Sequence, residues 1–170
     1  MKIDPQTNPE RRHLSELLAP MKVAMLTTAD DHGALTSRPM SPLALDADGA
    51  LWFFSDLRSS KLEHLGAVNL SFSDADKATF VSLAGHGELS SDPARIQALW
   101  TTYARPWFPD GPDSTNLALL KIVPHTAEYW DAPDSRMVRL VAIAASVVAG
   151  TPIGMGEHAA LSDLSSTAHP

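Results

Sequence analysis

Two short stretches carry the residue types that bind anions. Ser37-Arg38-Pro39-Met40 places a guanidinium at the end of an alternating apolar run, and Ser59-Ser60-Lys61 places two hydroxyls and an ammonium directly after LWFFSDLR. Arginine offers a planar fork that matches two phosphate oxygens, and lysine supplies a compact charge. Each charge-assisted hydrogen bond to a phosphate contributes roughly 1.5–3 kcal/mol. If a helix starts after Ser60, its unpaired first amides and the positive end of its dipole add to the site. The bland alternatives are a serine that only caps a helix, a lysine on a solvated face and an arginine in a surface ion pair. Taken alone, the serine–lysine stretch fits the bland reading better. A second cationic interruption at the end of a neighbouring strand tips the balance toward an anion pocket.

Other chemistry finds less support. His13, His32, His64, His86, His125, His158 and His169 are scattered without an HExxH pattern, so no metal site is expected. His86 and Glu88 have strand alternation and read as one exposed polar face. Trp100, Tyr103, Trp107 and Phe108 resemble a base-stacking platform in composition, but prolines and acidic residues accompany them rather than lysines. Core or dimer packing is expected for them. No GxSxG or phosphate-loop pattern occurs, and no catalytic acid or base is assigned.

The elements that must position these residues are short. Residues 7–19 read as a helix with Thr7 and Glu10 at capping-box spacing and Leu14, Leu17 and Leu18 on one face. Residues 22–28 and 33–40 form a hairpin around ADDHG. Residues 43–45 and 50–55 are further strands, and 61–66 read as a short helix capped by Ser60 with Glu63. Residues 68–73 and 78–83 pair, and AGHGELS extends the second strand through two glycines that permit a bend. A helix opens at Asp92-Pro93 with Ile96, Leu99, Trp100 and Tyr103 on one side. Residues 117–123 and 126–130 read as a last hairpin joined by Pro124-His125, and residues 134–149 as a final helix. The pattern is mainly β with added helices, an antiparallel barrel with peripheral helices, in one domain over residues 1–156 with a loosely held tail over 157–170.

The 170 residues are 44% apolar and 19% charged, with a formal charge of −7 and no cysteine. Length and apolar content suit one folded domain. The missing cysteines exclude disulfides and thiolate chemistry and fit a reducing cytoplasm, the compartment expected here. The acidic balance argues against nonspecific nucleic-acid binding. MKIDPQTNPERRHL lacks the apolar segment of a secretory signal. The run VRLVAIAASVVAG contains Arg139 and is shorter than the roughly 20 residues of a membrane helix, so no membrane partner is expected.

The ordered set AMLTT, LTSRPM, LWFFSDLRSSK, VNLSFSD, FVSLAGHGELS, LWTTYARPWFPDG and AEYWD resembles the flavin-binding split barrels related to pyridoxamine 5′-phosphate oxidase. Within them it is most similar to the general stress protein 26 group, over residues 10 to about 150. The resemblance implies an antiparallel split β-barrel that binds FMN, with FAD left open as the alternative, in a homodimer with each flavin between protomers. It also implies that Arg38, Ser59, Ser60 and Lys61 hold the flavin phosphate. Pro39, Met40, Phe54 and Ser55 would line the ribityl chain and ring edge, Trp107 would approach from the partner, and Trp130 would lie near the flavin.

Departures from the oxidases accompany the likeness. The lysine that contacts substrate there is Leu43 here, and their serine-arginine-lysine triplet reads Ser59-Ser60-Lys61, with Arg58 as a substitute charge. Arg136 falls where a substrate arginine would be, but the following histidine and flavin arginine are Val138 and Leu140. These departures argue against oxidation of a vitamin B6 phosphate. The expected function is a flavin-dependent oxidoreductase linked to stress response, passing electrons between a small-molecule donor and an acceptor. The alternatives are a flavin-storing or sensing stress protein with little turnover, and a dimeric interaction protein without cofactor.

Overall fold

The computed structural model describes residues 1–131 and 157–161. Nine strands occur among them: β1 (Lys2–Ile3), β2 (Ala24–Ala29), β3 (Leu35–Met40), β4 (Ala44–Leu45), β5 (Leu51–Asp56), β6 (Val68–Asp74), β7 (Thr79–Ser90), β8 (Leu117–Asp131) and β9 (Glu157–Leu161). Helices α1 (Pro9–Leu18) and α2 (Pro93–Leu99) and two short 3₁₀ turns, Ser60–Glu63 and Thr102–Ala104, complete the elements. The expected helix over residues 134–149 lies outside the described residues, as do Arg136, Val138 and Leu140.

The strands join in the order β1-β4-β5-β8-β7-β6-β2-β3, with β9 added to β8. Side chains alternate across each strand, so registered rows share a face. Leu26, Leu70, Leu83 and Ala127 oppose one another across β2, β6, β7 and β8. They join Leu51 and Phe53 of β5, Leu120 and Ile122 of β8, and Leu14 and Leu18 of α1 in one buried cluster. Residues from both ends of the strand order meet in that core, so the sheet is curled into an open barrel. Each fully buried side chain of this size contributes about 1.5–3 kcal/mol. The fold is the split barrel expected from the sequence, with one addition: β1 pairs parallel with β4, so the sheet is mixed.

The apolar run at β5 is continuous because both of its faces are covered. Leu51 and Phe53 enter the barrel, while Trp52 and Phe54 enter a second cluster with Ile96, Ala104, Leu117 and Leu119 under α2 and the following loop. Leu43, Leu99, Trp100 and Phe108 close that cluster. Tyr103 does not join them; α2 stops at Leu99, and Tyr103 stands 86% exposed.

Three boundaries differ from the sequence reading for physical reasons. Asn8, not Thr7, caps α1, its Oδ1 accepting from the Glu10 and Arg11 amides at 2.7 and 3.2 Å. Residues 157–161, expected within a loose tail, form β9 and pair with Ala127–Asp131. The expected hairpin at Pro124-His125 is instead one 15-residue strand, β8. Gly85 opposes Pro124 and Ala84 opposes Thr126, leaving His125 as an extra residue. The bulge shifts the alternation by one, so that Ala127 and Tyr129 still face the core that Leu120 and Ile122 face. A proline that cannot donate is tolerated at such a point.

Gly85 is what lets β7 cross there. A Cβ at this position would collide with the Val123 carbonyl oxygen and stand 2.9 Å from Pro124 Cα, both backbone atoms. Gly85→Ala is therefore expected to destabilise the fold by about 2–3 kcal/mol in urea unfolding. A loss below about 1 kcal/mol would contradict this account of the bend.

Candidate functional site

Arg38 stands opposite Leu26 in the β2–β3 ladder, so it shares the inward face of β3. It is half-buried, and its Nη1 donates to Thr28 Oγ1 at 3.3 Å. Met40, on the same face, packs against the barrel core, whereas Pro39 projects from the other side and is exposed.

Lys61 arrives from the end of β5. Ser59 donates its amide to the Asp56 carbonyl at 3.0 Å, which turns the chain into the 3₁₀ turn Ser60–Glu63. Lys61 is 8% exposed, and its Nζ donates to Ser59 Oγ at 3.2 Å. Ser59 occupies the cap position without making a capping bond, and Ser60 is the exposed first residue of the turn. The expected helix after Ser60 is thus four residues of 3₁₀ structure, too short to develop a helix dipole. The positive character here comes from side chains.

Burial pushes the Lys61 ammonium below the usual lysine range, the Arg38 charge adds to that effect, and Asp56 opposes it. Arg38 and Lys61 therefore act on each other as like charges. Among the described residues neither makes an ion pair. Arg58, the substitute charge suggested by the sequence, is committed elsewhere. Its Nε and Nη2 donate to the Asp56 carboxylate at 2.9 and 2.6 Å, and its side chain is 72% exposed.

The remaining residues separate into three places. Ser55 is 1% exposed and follows Phe53 on the barrel face of β5. Phe54 faces the other way and is a core residue, its ring 5.6 Å from Trp100 and 5.9 Å from Phe108. The aromatic loop covers its ring within the protomer. Trp107 is 75% exposed on that loop. Trp130 lies on the outer face of the sheet beside Phe80, stacked on His158 at 4.9 Å. Within one protomer Lys61 bonds Ser59 and feels the Arg38 charge, while Pro39, Trp107 and Trp130 are exposed.

Sequence reasoning missed two features. Thr28 is one, although strand alternation already placed it on the Leu26 face. The other is the contact between His86 Nδ1 and His125 Nε2 at 2.8 Å, made by residues 39 apart in sequence that the bulge brings together. His86 also meets Glu88 at 3.3 Å, and Lys121 donates to Glu88 at 3.0 Å. Among the described residues no group of three or more histidine, aspartate or glutamate side chains is placed to hold a metal ion. No helix among them is long and apolar enough to cross a membrane. A cavity of about 280 Å³ lies elsewhere, lined by Pro9, Glu10, His13, Tyr129 and Leu161. It lacks paired cations, so the charge chemistry stays with Arg38 and Lys61.

The class of fold is a split barrel that carries a half-buried arginine and a buried lysine, each bonded to a hydroxyl. The chain belongs to the family described as pyridoxamine 5′-phosphate oxidase like, which it matches over residues 9–153. No curated protein matches the chain. Among solved structures it is similar to a general stress protein 26 from Jannaschia sp. CCS1, at 25% identity over 89% of this chain and 96% of that one, with a TM-score of 0.71. It is also similar to the general stress FMN/FAD binding protein from Xanthomonas citri, at 28% identity over 74% and 90%, TM-score 0.62. A general stress family protein from Xanthomonas campestris pv. campestris shares 27% identity over 76% and 92%, TM-score 0.62.

Hydrogen bonds from Arg58, first those of the side chain and then that of the backbone amide, hold the Asp56 carboxyl at about 2 against a usual 3.8. A lowered folded value means that this interaction favours the folded state above pH 3.8 and is lost as pH falls through about 2. Titration of the Asp56 carboxyl carbon by NMR is expected to show a midpoint near 2 that rises toward 3.8 in Arg58→Ala. An unchanged midpoint would remove the Arg58 side chain as the cause.

Proposed function

We propose that this chain binds FMN through its phosphate and acts as a flavin-dependent oxidoreductase. The observation that carries the reading is that two cations withdrawn from solvent, Arg38 half-buried and Lys61 buried, have hydroxyls rather than carboxylates as their bonded partners. Two such charges repel each other and lose hydration, and a bound anion offsets both costs. A phosphate monoester dianion matches both charges. The general stress FMN/FAD binding protein of Xanthomonas citri supports flavin as the class of molecule that carries it.

In this reading Arg38 takes two phosphate oxygens, Lys61 supplies the second charge, and Ser59 and Ser60 add hydroxyl and amide donors. Ser55 and Met40 lie at the ends of the strands that lead to these groups and border the chain of the ligand. The flavin supplies the hydride and electron chemistry when bound. A homodimer completes the site. Val23, Met25, Phe80 and Trp130 leave apolar surface exposed on the barrel, and Tyr103 and Trp107 project from the loop after α2. A second copy covers such surface, and Trp107 of one protomer then reaches the ligand of the other.

A second reading, flavin storage or sensing with little turnover, is favoured by one observation. The groups bonded around Arg38 and Lys61 are hydroxyls, and the neighbouring carboxylate, Asp56, is tied to Arg58. No described carboxylate or histidine is bonded to either cation.

Titration of the intact protein with FMN tests the shared claim. Arg38→Ala and Lys61→Ala are each expected to weaken FMN binding roughly 10- to 150-fold while far-UV circular dichroism stays native. Unchanged affinity in both would put the phosphate elsewhere. Anaerobic addition of NADH or NADPH separates the readings: bleaching of the flavin absorbance within seconds to minutes is expected for an oxidoreductase, and a persistent spectrum favours storage.

A further inference from the structure

Arg38 is carried by β3, an edge of the sheet among the described residues, and a long side chain on an edge strand has many rotamers to lose. Thr28 differs in each respect. It sits on β2 between two partner strands, opposite Thr36 on β3 and Val68 on β6. It is 4% exposed, and as a β-branched residue its χ1 is stiff. Its Oγ1 is thus a fixed acceptor, and Arg38 Nη1 donates to it at 3.3 Å.

A buried hydroxyl needs a hydrogen-bond partner, and valine would fill the same space without one. A hydroxyl at this position aims a guanidinium. One of the five N–H donors of Arg38 goes to Thr28, which leaves the others for a ligand and fixes the plane in which they lie. The bond is long for an N–H···O contact, so it costs little of the donor capacity of the fork while restricting its direction.

We propose that Thr28 is a positioning residue of the anion seat, orienting Arg38 toward the ligand phosphate without touching the ligand itself; the proposal rests on the phosphate reading given above. Its effect is specific to the phosphate. FMN and riboflavin differ only in that group, so the pair of ligands separates a positioning role from general damage to the barrel.

The experiment is fluorescence titration of the intact native protein, Thr28→Val and Thr28→Ser with FMN and with riboflavin. Thr28→Val is expected to weaken FMN binding by about 3- to 10-fold and leave riboflavin binding unchanged, and Thr28→Ser is expected to restore the native preference. Thr28→Ala serves in place of Thr28→Val if the valine protein does not fold, with the same expected pattern. Equal losses for both ligands, or a native FMN preference kept by the variant, overturn the role of Thr28 and leave the phosphate site standing. A native protein that binds FMN no better than riboflavin overturns the phosphate reading, and this proposal with it.

Discussion

The ladder between β7 and β8 is the constraint on which the rest of the molecule depends. It runs from Phe80 opposite Trp130 to Ser90 opposite Leu119, and the other edge of β8 takes β5 along its first half and β9 along its second. One strand can serve both only because the chain bends, and the bend exists because Gly85 has no Cβ and Pro124 needs no partner for a missing N–H. The bulged His125 then resets the alternation so that both halves of β8 point apolar side chains into one core. Without that reset, Tyr129 and Ala127 would face solvent and Trp130 would face the core.

The same geometry sets where charge collects. β5 pairs with the first half of β8, so its end is fixed by backbone bonds, and the turn after it swings Lys61 inward beside the face from which Arg38 projects. The Leu65 carbonyl accepts from the Gly87 amide at 2.7 Å, which ties the segment after the turn back to β7. Gly87 allows this approach, since a Cβ there would stand 3.0 Å from the Leu65 side chain. A backbone frame of this kind holds Lys61 buried, within the electrostatic influence of Arg38, before any ligand arrives. Electrostatic preorganisation of that sort favours a dianion over a neutral molecule of similar shape.

Much of the fold was legible because strand alternation is a local signal. β2, β3, β5 and β6 fall within two or three residues of their expected bounds, and the bend at the AGHGELS glycines is where the structure has it. The long strand β8 was misread because Pro124-His125 breaks the period, and a bulge and a turn break it alike. The helix after Ser60 was misread because Ser59, Ser60 and Glu63 carry capping residue types, yet the Ser59 hydroxyl is spent on Lys61. The resemblance expects Phe54 along a ligand; within the protomer β5 is buried on both faces and its alternation sends the Phe54 ring under Trp100 and Phe108. The pairing of Arg38 with Thr28 depends on the register of the β2–β3 hairpin, and that of His86 with His125 on which strands are neighbours. That information is absent from spacing along one chain.

The central claim is that Arg38 and Lys61 form a seat for a phosphate dianion at the mouth of the barrel. A crystal structure of the protein with FMN bound tests it most directly. The account predicts phosphate oxygens within hydrogen-bond distance of the Arg38 guanidinium and the Lys61 ammonium. A flavin whose phosphate lies against other residues, with Arg38 and Lys61 facing only solvent, would contradict it.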